Sequence, residues 1–383
     1  MGSDKEIGIY VHIPFCVRKC GYCDFLSFAA EDDGMERYTR ALLTEIREWE
    51  EELSAYRIVS VFFGGGTPSI LKPDLFCRIA EGMKQYLPWK DKEEPEVSIE
   101  CNPGTLTAQK VRLYRSLGVN RISLGLQSAD NGLLKLLGRI HTYEDFRTSY
   151  DLVREAGFGN VNVDLMSGLP GQSLEQWLNS LRVTADLMPE HISAYSLMIE
   201  EGTPFFAKYR DQSSLPDEET ERQMYEQTKV LLRERGLYRY EISNYAKPGF
   251  ECRHNIGYWR RREYLGLGLG ASSFFQGRRW RNTDSFAEYV RDSRDRKKIR
   301  REEEVLTRKD SMEEFMFLGL RMCEGVSEGK FMKEFGVAME SVYGAAINKL
   351  ERGGLIQRTG EGIVLTENGI NLSNPVLAEF LLD

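Results

Sequence analysis

Short apolar segments alternate with longer segments of helical periodicity over roughly the first 245 residues of the chain. Apolar runs of strand length that end at turn-forming residues are typical of buried strands. By this pattern we predict strands at 7–13, 58–63, 96–101, 120–126, 159–165, 191–198 and 238–243. Apolar residues at helical spacing predict helices at 35–53, 73–86, 107–117, 130–137, 143–156, 173–187 and 217–235. This alternation predicts a parallel sheet with helices on its outside.

The strand–helix unit repeats about six times, which is fewer than the eight units of a closed TIM barrel. We therefore predict an α/β protein built on a partial (β/α)6 TIM-like barrel that stays open. A doubly wound α/β sheet is the alternative, because the alternation alone does not separate the two architectures.

The pattern changes near residue 245, and we expect three regions. Residues 1–245 form the barrel core, 246–304 form a linking segment, and 305–383 form a small C-terminal helical, winged-helix-like domain. The charge run from Arg291 to Glu304 is typical of a solvated helix face or a linker. In the last region we predict helices at 310–322, 327–335 and 339–353 and a two-stranded ribbon at 355–357 and 362–365.

The charge balance limits the classes of partner. The chain of 383 residues has 51 basic and 59 acidic side chains, a formal net charge of −8. Because non-specific nucleic-acid binding depends on a basic surface, we expect no nucleic-acid partner and interpret the last region as a docking or packing module. No apolar run is long enough to predict a transmembrane helix. Residues 1–6 have neither the basic start nor the apolar stretch of a signal peptide, so we expect a cytoplasmic protein.

Three of the seven cysteines, Cys16, Cys20 and Cys23, fall within one short segment. In a reducing compartment such a group is typical of a metal site before it is typical of disulfides. A [4Fe–4S] cluster normally takes four cysteines, so a loop that supplies three leaves one iron open for a small molecule. The alternative is a zinc site completed by His12, although zinc motifs usually contain a second cysteine pair.

Glycine and polar residues follow the predicted strands at their carboxyl ends. The run Gly64-Gly65-Gly66-Thr67-Pro68 closes the second strand, and glycine lets a ligand approach the backbone closely. A plain turn is the alternative for this run. Glu100, Gln127 and Asp164 lie at or near the ends of three further strands. Barrels of this type build their sites at that edge, so we expect a binding site there.

The spacing C-x-x-x-C-x-x-C, with Tyr22 just before the third cysteine, resembles the signature of the radical-SAM family. The resemblance implies a [4Fe–4S] cluster with S-adenosylmethionine (SAM) chelated to its open iron. It also implies that one electron from the cluster can cleave SAM to methionine and a 5′-deoxyadenosyl radical. The positions that match SAM contacts of the family are Tyr10, Tyr22, Gly65, Gly66, Thr67, Glu100, Gln127, Arg139 and Asp164.

Two further features narrow the resemblance. Phe25 follows the cysteine group at a position where the similar oxygen-independent coproporphyrinogen III oxidases carry a fourth cysteine. The string Cys252-Arg253-His254-Asn255-Ile256-Gly257-Tyr258-Trp259 contains H-N-x-x-Y-W, which resembles the signature of HemW-type haem chaperones. The resemblance covers nearly the whole chain and is least specific after about residue 300.

The chemistry of this string also suits haem without the resemblance. The neutral imidazole of His254 is a good axial ligand for haem iron, and Tyr258 and Trp259 offer flat faces to a porphyrin. Cys252 is an alternative iron ligand, and a histidine that only hydrogen-bonds inside a packed loop is the alternative without haem. Four arginines carry charge that can pair with the haem propionates: Arg253, Arg260, Arg261 and Arg262.

The leading hypothesis is a haem chaperone. It would bind haem at His254 and a SAM-liganded [4Fe–4S] cluster at Cys16, Cys20 and Cys23, and transfer haem to apo-haemoproteins such as respiratory enzymes. Cluster and SAM would then gate dimerisation or transfer, so no catalytic residue is assigned and enzyme activity is left open. A homodimer and peripheral membrane association through clients belong to the same hypothesis. The alternatives are an oxygen-independent coproporphyrinogen III oxidase, which is a radical-SAM decarboxylase, and a purely structural metal-binding module.

Overall fold

The structure is a computed structural model, and it describes residues 5–29, 31–89, 94–211 and 213–382. Residues 1–4, on which the expectation about a signal peptide partly rests, lie outside the described residues. A twelve-stranded sheet forms the main body, and a smaller sheet of three strands lies in the C-terminal region. Within the described ranges, no helix has both the length and the apolar character needed to cross a membrane.

Strands and helices alternate through most of the described chain, and both are numbered in chain order. The strands are β1 Lys5–Ile13, β2 Phe15–Cys16, β3 Phe28–Ala29, β4 Tyr56–Gly65, β5 Glu96–Cys101, β6 Arg121–Gln127, β7 Val161–Ser167, β8 His191–Ser196, β9 Tyr238–Arg239, β10 Asn244–Ala246, β11 Tyr264–Leu267, β12 Ser272–Phe275, β13 Arg278–Asn282, β14 Arg300–Val305, β15 Val326–Ser327, β16 Ile356–Arg358 and β17 Gly362–Leu365. The helices are α1 Asp32–Arg47, α2 Glu50–Leu53, α3 Pro73–Tyr86, α4 Ala108–Ser116, α5 Asn131–Leu137, α6 Tyr143–Glu155, α7 Leu174–Ala185, α8 Pro204–Tyr209, α9 Glu218–Arg233, α10 Arg253–Trp259, α11 Phe286–Asp292, α12 Arg296–Ile299, α13 Arg308–Gly319, α14 Glu328–Phe335, α15 Met339–Arg352, α16 Glu367–Asn371 and α17 Ser373–Ala378.

Six parallel strands form the centre of the large sheet, in the order β1-β4-β5-β6-β7-β8. This order follows the chain without the reversal that a doubly wound sheet has at its switch point, so that alternative is excluded. The prediction of a partial (β/α)6 TIM-like barrel is confirmed. Among the described residues, β14 and β9 end the ladder and do not pair with each other, so the barrel stays open.

Side chains of the six central strands alternate between two environments. In β6, Ile122 and Leu124 are fully buried in the core under the surrounding helices. Arg121 and Ser123, which alternate with them in sequence, line the lumen of the barrel, and Asp164 of β7 does the same. Parallel strands that are buried on both faces are normally apolar throughout. The alternation therefore marks a lumen lined by polar groups.

The predicted strand 238–243 is wrong in detail, because the chain turns there. β9 and β10 are short antiparallel strands, and β10 also pairs antiparallel with β8. The buried Glu241 carboxylate holds the turn between them, since it accepts hydrogen bonds from the Ser243 backbone N–H (2.9 Å) and from Asn244 Nδ2 (2.5 Å). A side chain that bonds the backbone two residues ahead favours a turn over a continuous strand.

The segment 246–304 contributes strands to the large sheet. β11 pairs parallel with β1, and β12, β13 and β14 extend the sheet as antiparallel strands. The charge run predicted as a helix face or linker contains β14 at the sheet edge, where charged side chains discourage pairing with other sheets. The Arg300 guanidinium lies 4.1 Å from the centre of the Trp280 ring, so the strand is held by stacking as well as by pairing.

The C-terminal region has its own hydrophobic core beneath α13, α14 and α15, with Phe331, Tyr343 and Ile347 almost fully buried. The predicted ribbon corresponds to β16 and β17, and β15 adds a third strand to it. The three predicted helices and the small antiparallel sheet form the winged-helix-like arrangement that the sequence predicts, and the unpredicted helices α16 and α17 follow β17. β15 has only two residues, which is too short to give a pattern in the sequence.

Candidate functional site

The lumen of the barrel holds a cavity of about 590 Å³, which we call the lumen cavity. It opens toward the carboxyl ends of the central strands and reaches down past Arg121 and His254. Every SAM-contact position predicted from the sequence lines it: Tyr10, Tyr22, Gly65, Gly66, Thr67, Glu100, Gln127, Arg139 and Asp164. Cys23 lines the same cavity, whereas Cys16 and Cys20 lie just outside its wall. The structure thus brings together residues that are spread over most of the barrel sequence.

The cysteine loop follows β2 and lies at the mouth of the lumen cavity. Cys16 is buried, and Cys20 and Cys23 are half-buried. Thr67 Oγ1 donates a hydrogen bond to Cys16 Sγ at 3.6 Å, and Arg139 Nη1 donates one to Cys20 Sγ at 3.7 Å. Hydrogen bonds donated to a sulfur atom stabilise the thiolate, which is the form of cysteine that binds iron. Burial, with the neighbouring Cys20 adding to it, raises the pKa of the Cys23 thiol to about 11, so a bound cation is needed to keep it as thiolate.

His12 is not free to complete a zinc site. Its Nε2 lies 2.8 Å from the Leu26 carbonyl oxygen and therefore donates to it, while its Nδ1 lies 3.0 Å from the Tyr10 hydroxyl. The one lone pair of the neutral ring, on Nδ1, therefore accepts from the Tyr10 hydroxyl and is not free for a metal ion. Within the part of the chain that the structure describes, no three His, Cys, Asp or Glu side chains converge as ligands of a single ion.

The glycine run brings the end of β4 against the cysteine loop. A Cβ on Gly66 would lie 2.7 Å from the Phe15 carbonyl oxygen and 3.0 Å from Cys16 Sγ. Gly65 has a φ of +109°, and a Cβ there would lie 2.5 Å from the His12 ring. Only glycine fits at these positions, so the run sets how closely the strand approaches the loop. The Thr67 backbone N–H then continues the contact by donating to the Phe15 carbonyl at 2.8 Å.

Polar side chains at the strand ends are fixed by one another. Arg139 Nη2 donates to Asn102 Oδ1 (2.5 Å) and to the Gly125 carbonyl (2.8 Å), which holds its guanidinium between β5 and β6. Gln127 has a φ of +71°, a region that residues other than glycine rarely occupy, and its Oε1 accepts from the Tyr195 hydroxyl. Strained positions of this kind persist where the surrounding structure fixes them, and they concentrate at functional sites.

Two carboxyl groups lie in the lumen cavity. Burial, together with the charge of Asp164, raises the pKa of Glu100 to about 8. Glu100 is therefore largely protonated at neutral pH, and its Oε2 accepts a hydrogen bond from the Gly65 backbone N–H at 3.1 Å. Burial also raises the pKa of Asp164, whose oxygens accept from Ser123 Oγ (2.9 Å) and Asn162 Nδ2 (2.8 Å). The cavity thus offers one neutral carboxyl group and one hydrogen-bonded carboxyl group to a ligand.

His254 lies deep in the lumen cavity and is 3% exposed. Its Nδ1 is 2.9 Å from Ser60 Oγ, its Nε2 is 2.8 Å from the Tyr258 hydroxyl, and its ring stacks on Phe62. Burial and the charge of Arg121 lower the pKa of His254 to about 3, so the imidazole is neutral. A neutral imidazole can bind a metal ion once one of these two hydrogen bonds opens.

The other residues of the H-N-x-x-Y-W string point in different directions. Tyr258 lines the lumen cavity, whereas Trp259 lies in a separate groove toward the C-terminal domain, with Arg321 4.4 Å from its ring. Three of the arginines expected to meet propionates are already paired outside the lumen. These pairs are Arg260 with Glu324, Arg261 with Glu314, and Arg262 with Glu6.

Several lumen residues were missed by the reasoning from sequence: Arg121, Ser123, Asn162, Ser193, Tyr195 and Asn244. For all of these except Asn244, the signal in the sequence is the alternation of polar and apolar residues inside predicted parallel strands. In a barrel the polar members of such a strand must face the lumen, because the apolar members are buried under helices. Asn244 lies in the antiparallel strand β10, just beyond the predicted strand 238–243.

Two family models and one solved structure agree with this geometry. The model of the Radical SAM superfamily matches residues 10–183, and that of the HemN C-terminal domain matches residues 306–372. The Escherichia coli coproporphyrinogen III oxidase HemN, a radical SAM enzyme, has a structure that superposes with a TM-score of 0.86 at 22% identity over 99% of this chain and 90% of that one. The fold is therefore that of a radical-SAM protein.

Curated relatives give the particular family. The Heme chaperone HemW of Lactococcus lactis is 36% identical over 99% of this chain and 98% of its own length, and that of Bacillus subtilis is 34% identical over 97% and 98%. The mouse mitochondrial protein called radical S-adenosyl methionine domain-containing protein 1 is 33% identical over 99% of this chain and 88% of its own. The chain belongs to the heme chaperone HemW family.

The predicted cofactor pair is that of the superfamily, a [4Fe–4S] cluster with SAM. The donor set fits this pair. Three thiols lie on one loop, two of them accept hydrogen bonds from neighbours, and the polar lumen cavity begins directly beside them. Cys16, Cys20 and Cys23 would hold three irons, and the cavity edge at Gly65 and Gly66 would receive SAM at the fourth. The individual contacts with SAM stay predictions.

Proposed function

We propose that this chain is a haem chaperone, which binds haem in the lumen cavity beside a SAM-liganded [4Fe–4S] cluster and transfers it to apo-haemoproteins. The observation that carries the proposal is the position of His254, which lines the same cavity as the cysteine loop and the predicted SAM contacts. The relatives that match nearly the whole length of the chain are named heme chaperones, which supports the proposal.

His254 is the proposed axial ligand of the haem iron. Its neutral ring needs no deprotonation, but Nε2 must first exchange the Tyr258 hydroxyl for iron. Cys252 is a weaker candidate. Burial raises the pKa of its thiol to about 12, and its Sγ donates a hydrogen bond to Glu96 Oε1, so the thiolate that binds iron is disfavoured.

The mouth of the lumen cavity supplies an apolar entrance for a porphyrin. Phe25 is 63% exposed and Met198 is 69% exposed, and both line the opening. Isolated exposed apolar residues are common, but two of them at the rim of one cavity give a face on which a flat hydrophobic ligand can bind. Phe25 occupies the position at which the sequence differs from that of the coproporphyrinogen III oxidases.

A titration with ferric haem followed by optical absorption tests the proposal. We expect a Soret shift that saturates with the wild type, is lost or displaced in His254→Ala, and persists in His141→Ala. His141 is a matched control because it is also buried but lies outside the lumen cavity, with its Nε2 3.3 Å from the Leu126 carbonyl oxygen. Tyr258→Phe frees Nε2 and should bind haem at least as tightly. An identical Soret shift in wild type and His254→Ala would exclude His254 as ligand.

The cellular part of the proposal concerns partners and location. We propose cytoplasmic function, because reducing conditions keep the cysteine loop available for iron. Clients would be apo-haemoproteins such as respiratory enzymes, with peripheral membrane association through those clients and a homodimer as the transferring form. Mixing the haem-loaded chain with a purified apo-cytochrome, and following the haem absorption of each protein, tests whether haem reaches a client. Light scattering with and without SAM tests the homodimer, and failure of either experiment limits the proposal to haem binding.

A second candidate is oxygen-independent coproporphyrinogen III decarboxylation by a SAM radical. It is favoured by the fold shared with HemN and by Gln127, Arg139 and Asp164 at the cavity wall. An anaerobic assay with reductant and SAM decides between the candidates. Formation of protoporphyrinogen IX, with the release of two molecules of carbon dioxide, would establish this activity, and we expect none.

A further inference from the structure

Arg121 is an unpaired cation inside the barrel. It begins β6, is 2% exposed, and lines the lumen cavity. Its Nε is buried without a hydrogen-bond partner, and none of the described residues accepts a hydrogen bond from its guanidinium. An arginine stays charged in proteins and carries five donors, so a buried guanidinium without acceptors is costly unless a ligand supplies them.

Two carboxylates whose charge acts on Arg121, those of Glu96 and Asp164, accept hydrogen bonds from other donors. Glu96 accepts from the backbone N–H groups of Arg253 (3.0 Å) and His254 (3.1 Å) and from the Cys252 thiol, so it serves the start of α10. Asp164 accepts from Ser123 and Asn162. These carboxylates act on Arg121 only through the attraction of their charge, and the guanidinium, which lines the lumen cavity, has no acceptor among the described residues.

The ligand that suits this position is a carboxylate. A guanidinium presents two parallel N–H donors that match the two oxygens of a carboxylate, and the match is stronger where water is excluded. His254 lines the same cavity as Arg121, so a molecule bound through its metal at His254 brings its acidic groups within the same space. The arginines that follow His254 in sequence are not available, since three of them pair with Glu324, Glu314 and Glu6.

We infer that Arg121 binds a propionate carboxylate of haem in the lumen cavity and so fixes the orientation of the porphyrin relative to His254. This inference rests on the proposed function. It assigns the propionate contact to the barrel interior rather than to the arginine-rich string of the sequence.

The test compares ferric haem with its dimethyl ester, whose propionates are blocked, in wild type, Arg121→Met and Arg121→Lys. We expect esterification to weaken binding to the wild type by about tenfold to a hundredfold, the effect typical of one charge-assisted pair. Arg121→Met should bind both forms with the weaker affinity, and Arg121→Lys should fall between. Arg112→Met, which removes an exposed arginine from α4, should behave as the wild type.

Folding and the source of the carboxylate are checked in the same variants. Without ligand, Arg121→Met should unfold at the same temperature as the wild type or higher, because it removes an unpaired buried charge. SAM binding to the reconstituted protein should be unchanged, whereas its loss together with normal haem binding would overturn the inference in favour of the SAM carboxylate. Equal affinity of the wild type for haem and its dimethyl ester would also overturn it. Absence of any Soret shift in the wild type would instead reject the proposed function.

Discussion

At the scale of residues, a buried carboxyl group makes the free energy of unfolding depend measurably on pH. Glu45 of α1 is 2% exposed and accepts hydrogen bonds from Tyr289 (2.6 Å), the Gly268 backbone N–H (2.8 Å) and Asn282 Nδ2 (2.7 Å). Burial raises its pKa from 4.5 to about 7 despite these donors. Glu45 therefore connects α1 to the extension of the sheet. Its carboxyl group binds a proton more tightly in the folded state than in the unfolded state.

Because the folded state binds this proton more tightly than the unfolded state, the contribution of Glu45 to stability falls as pH rises from about 4.5 through about 7. We expect the difference in free energy of unfolding between wild type and Glu45→Gln to shrink by roughly 1–3 kcal/mol across that window. Chemical denaturation at several pH values measures it. Glu155→Gln, an exposed position on α6, is the control, and an equal pH dependence in both variants would contradict the assignment.

Thr67 is expected to tune the cluster. Its hydroxyl donates to Cys16 Sγ and is itself held by Asn102 Nδ2 at 2.8 Å. Hydrogen bonds to cluster sulfurs stabilise the reduced, more negative state. In anaerobically reconstituted protein, Thr67→Val should keep the iron content and shift the reduction potential to a more negative value. Thr148→Val, on the exposed face of α6, should leave the potential unchanged, and an unchanged value in Thr67→Val would remove Thr67 from this role.

The residues found from the sequence and those missed differ in the kind of signal they carry. Glu100 and Asp164 end or interrupt apolar runs, so the rule that barrel sites lie at strand carboxyl ends was sufficient. Arg121 lies at the beginning of a strand, where the same rule gives no expectation. The contact of His254 with Ser60 could not be predicted, because Ser60 is 194 positions away in sequence and joins it only in the folded barrel.

At the scale of elements, the start of the helix α10 is stabilised by Glu96, a residue of the strand β5. The helix has seven residues, and its N-cap Cys252 makes no side-chain cap. Glu96 of β5 replaces that cap by accepting from the first backbone N–H groups of the helix. Short helices gain most of their stability from such external contacts, so Glu96 positions the whole H-N-x-x-Y-W string.

Replacing Glu96 should therefore affect haem binding without a direct contact with haem. Glu96→Gln removes the negative charge and one acceptor at the helix start, and we expect a loss of about 1–3 kcal/mol in the free energy of unfolding. The haem affinity should also fall, while the absorption spectrum of the bound form stays that of a histidine-ligated haem. A changed spectrum with unchanged affinity would indicate that Glu96 acts on the ligand itself.

The strand β14 was not predicted because its causes lie outside its own sequence. β14 consists almost entirely of charged residues, and it is a strand because β13 offers an unpaired edge and Trp280 offers a ring for Arg300. Neither reason is visible in a hydrophobic pattern, since both come from residues outside the strand itself. The central strands were predictable because each buries its apolar positions under its own neighbouring helix.

At the scale of the molecule, ion pairs connect the barrel to the C-terminal domain. Glu314 of α13 accepts from Arg261 Nε (3.2 Å) and Arg279 Nε (2.9 Å), and Arg261 also pairs with Glu334 of α14. The side chains of Arg261 and Glu314 are 8% and 12% exposed. Because Arg261 follows the H-N-x-x-Y-W string by two residues, this contact connects the motif to the C-terminal domain as well as to the barrel.

Removing the shared acceptor should loosen the domain contact without unfolding either core. Glu314→Gln leaves Arg261 with Glu334 as its remaining charged partner and leaves the half-buried Arg279 with a neutral one, which we expect to weaken the contact by about 1–3 kcal/mol. Each part keeps its own hydrophobic cluster, so amide hydrogen exchange should accelerate in α13 and in the strands β15, β16 and β17 while β5, β6 and β7 keep their protection. Glu340→Gln, which breaks the exposed pair with Arg358 inside the C-terminal domain, is the matched control. Exchange that accelerates equally across the barrel strands would mean that the two cores unfold as one unit and that the ion pairs are not the joint between them.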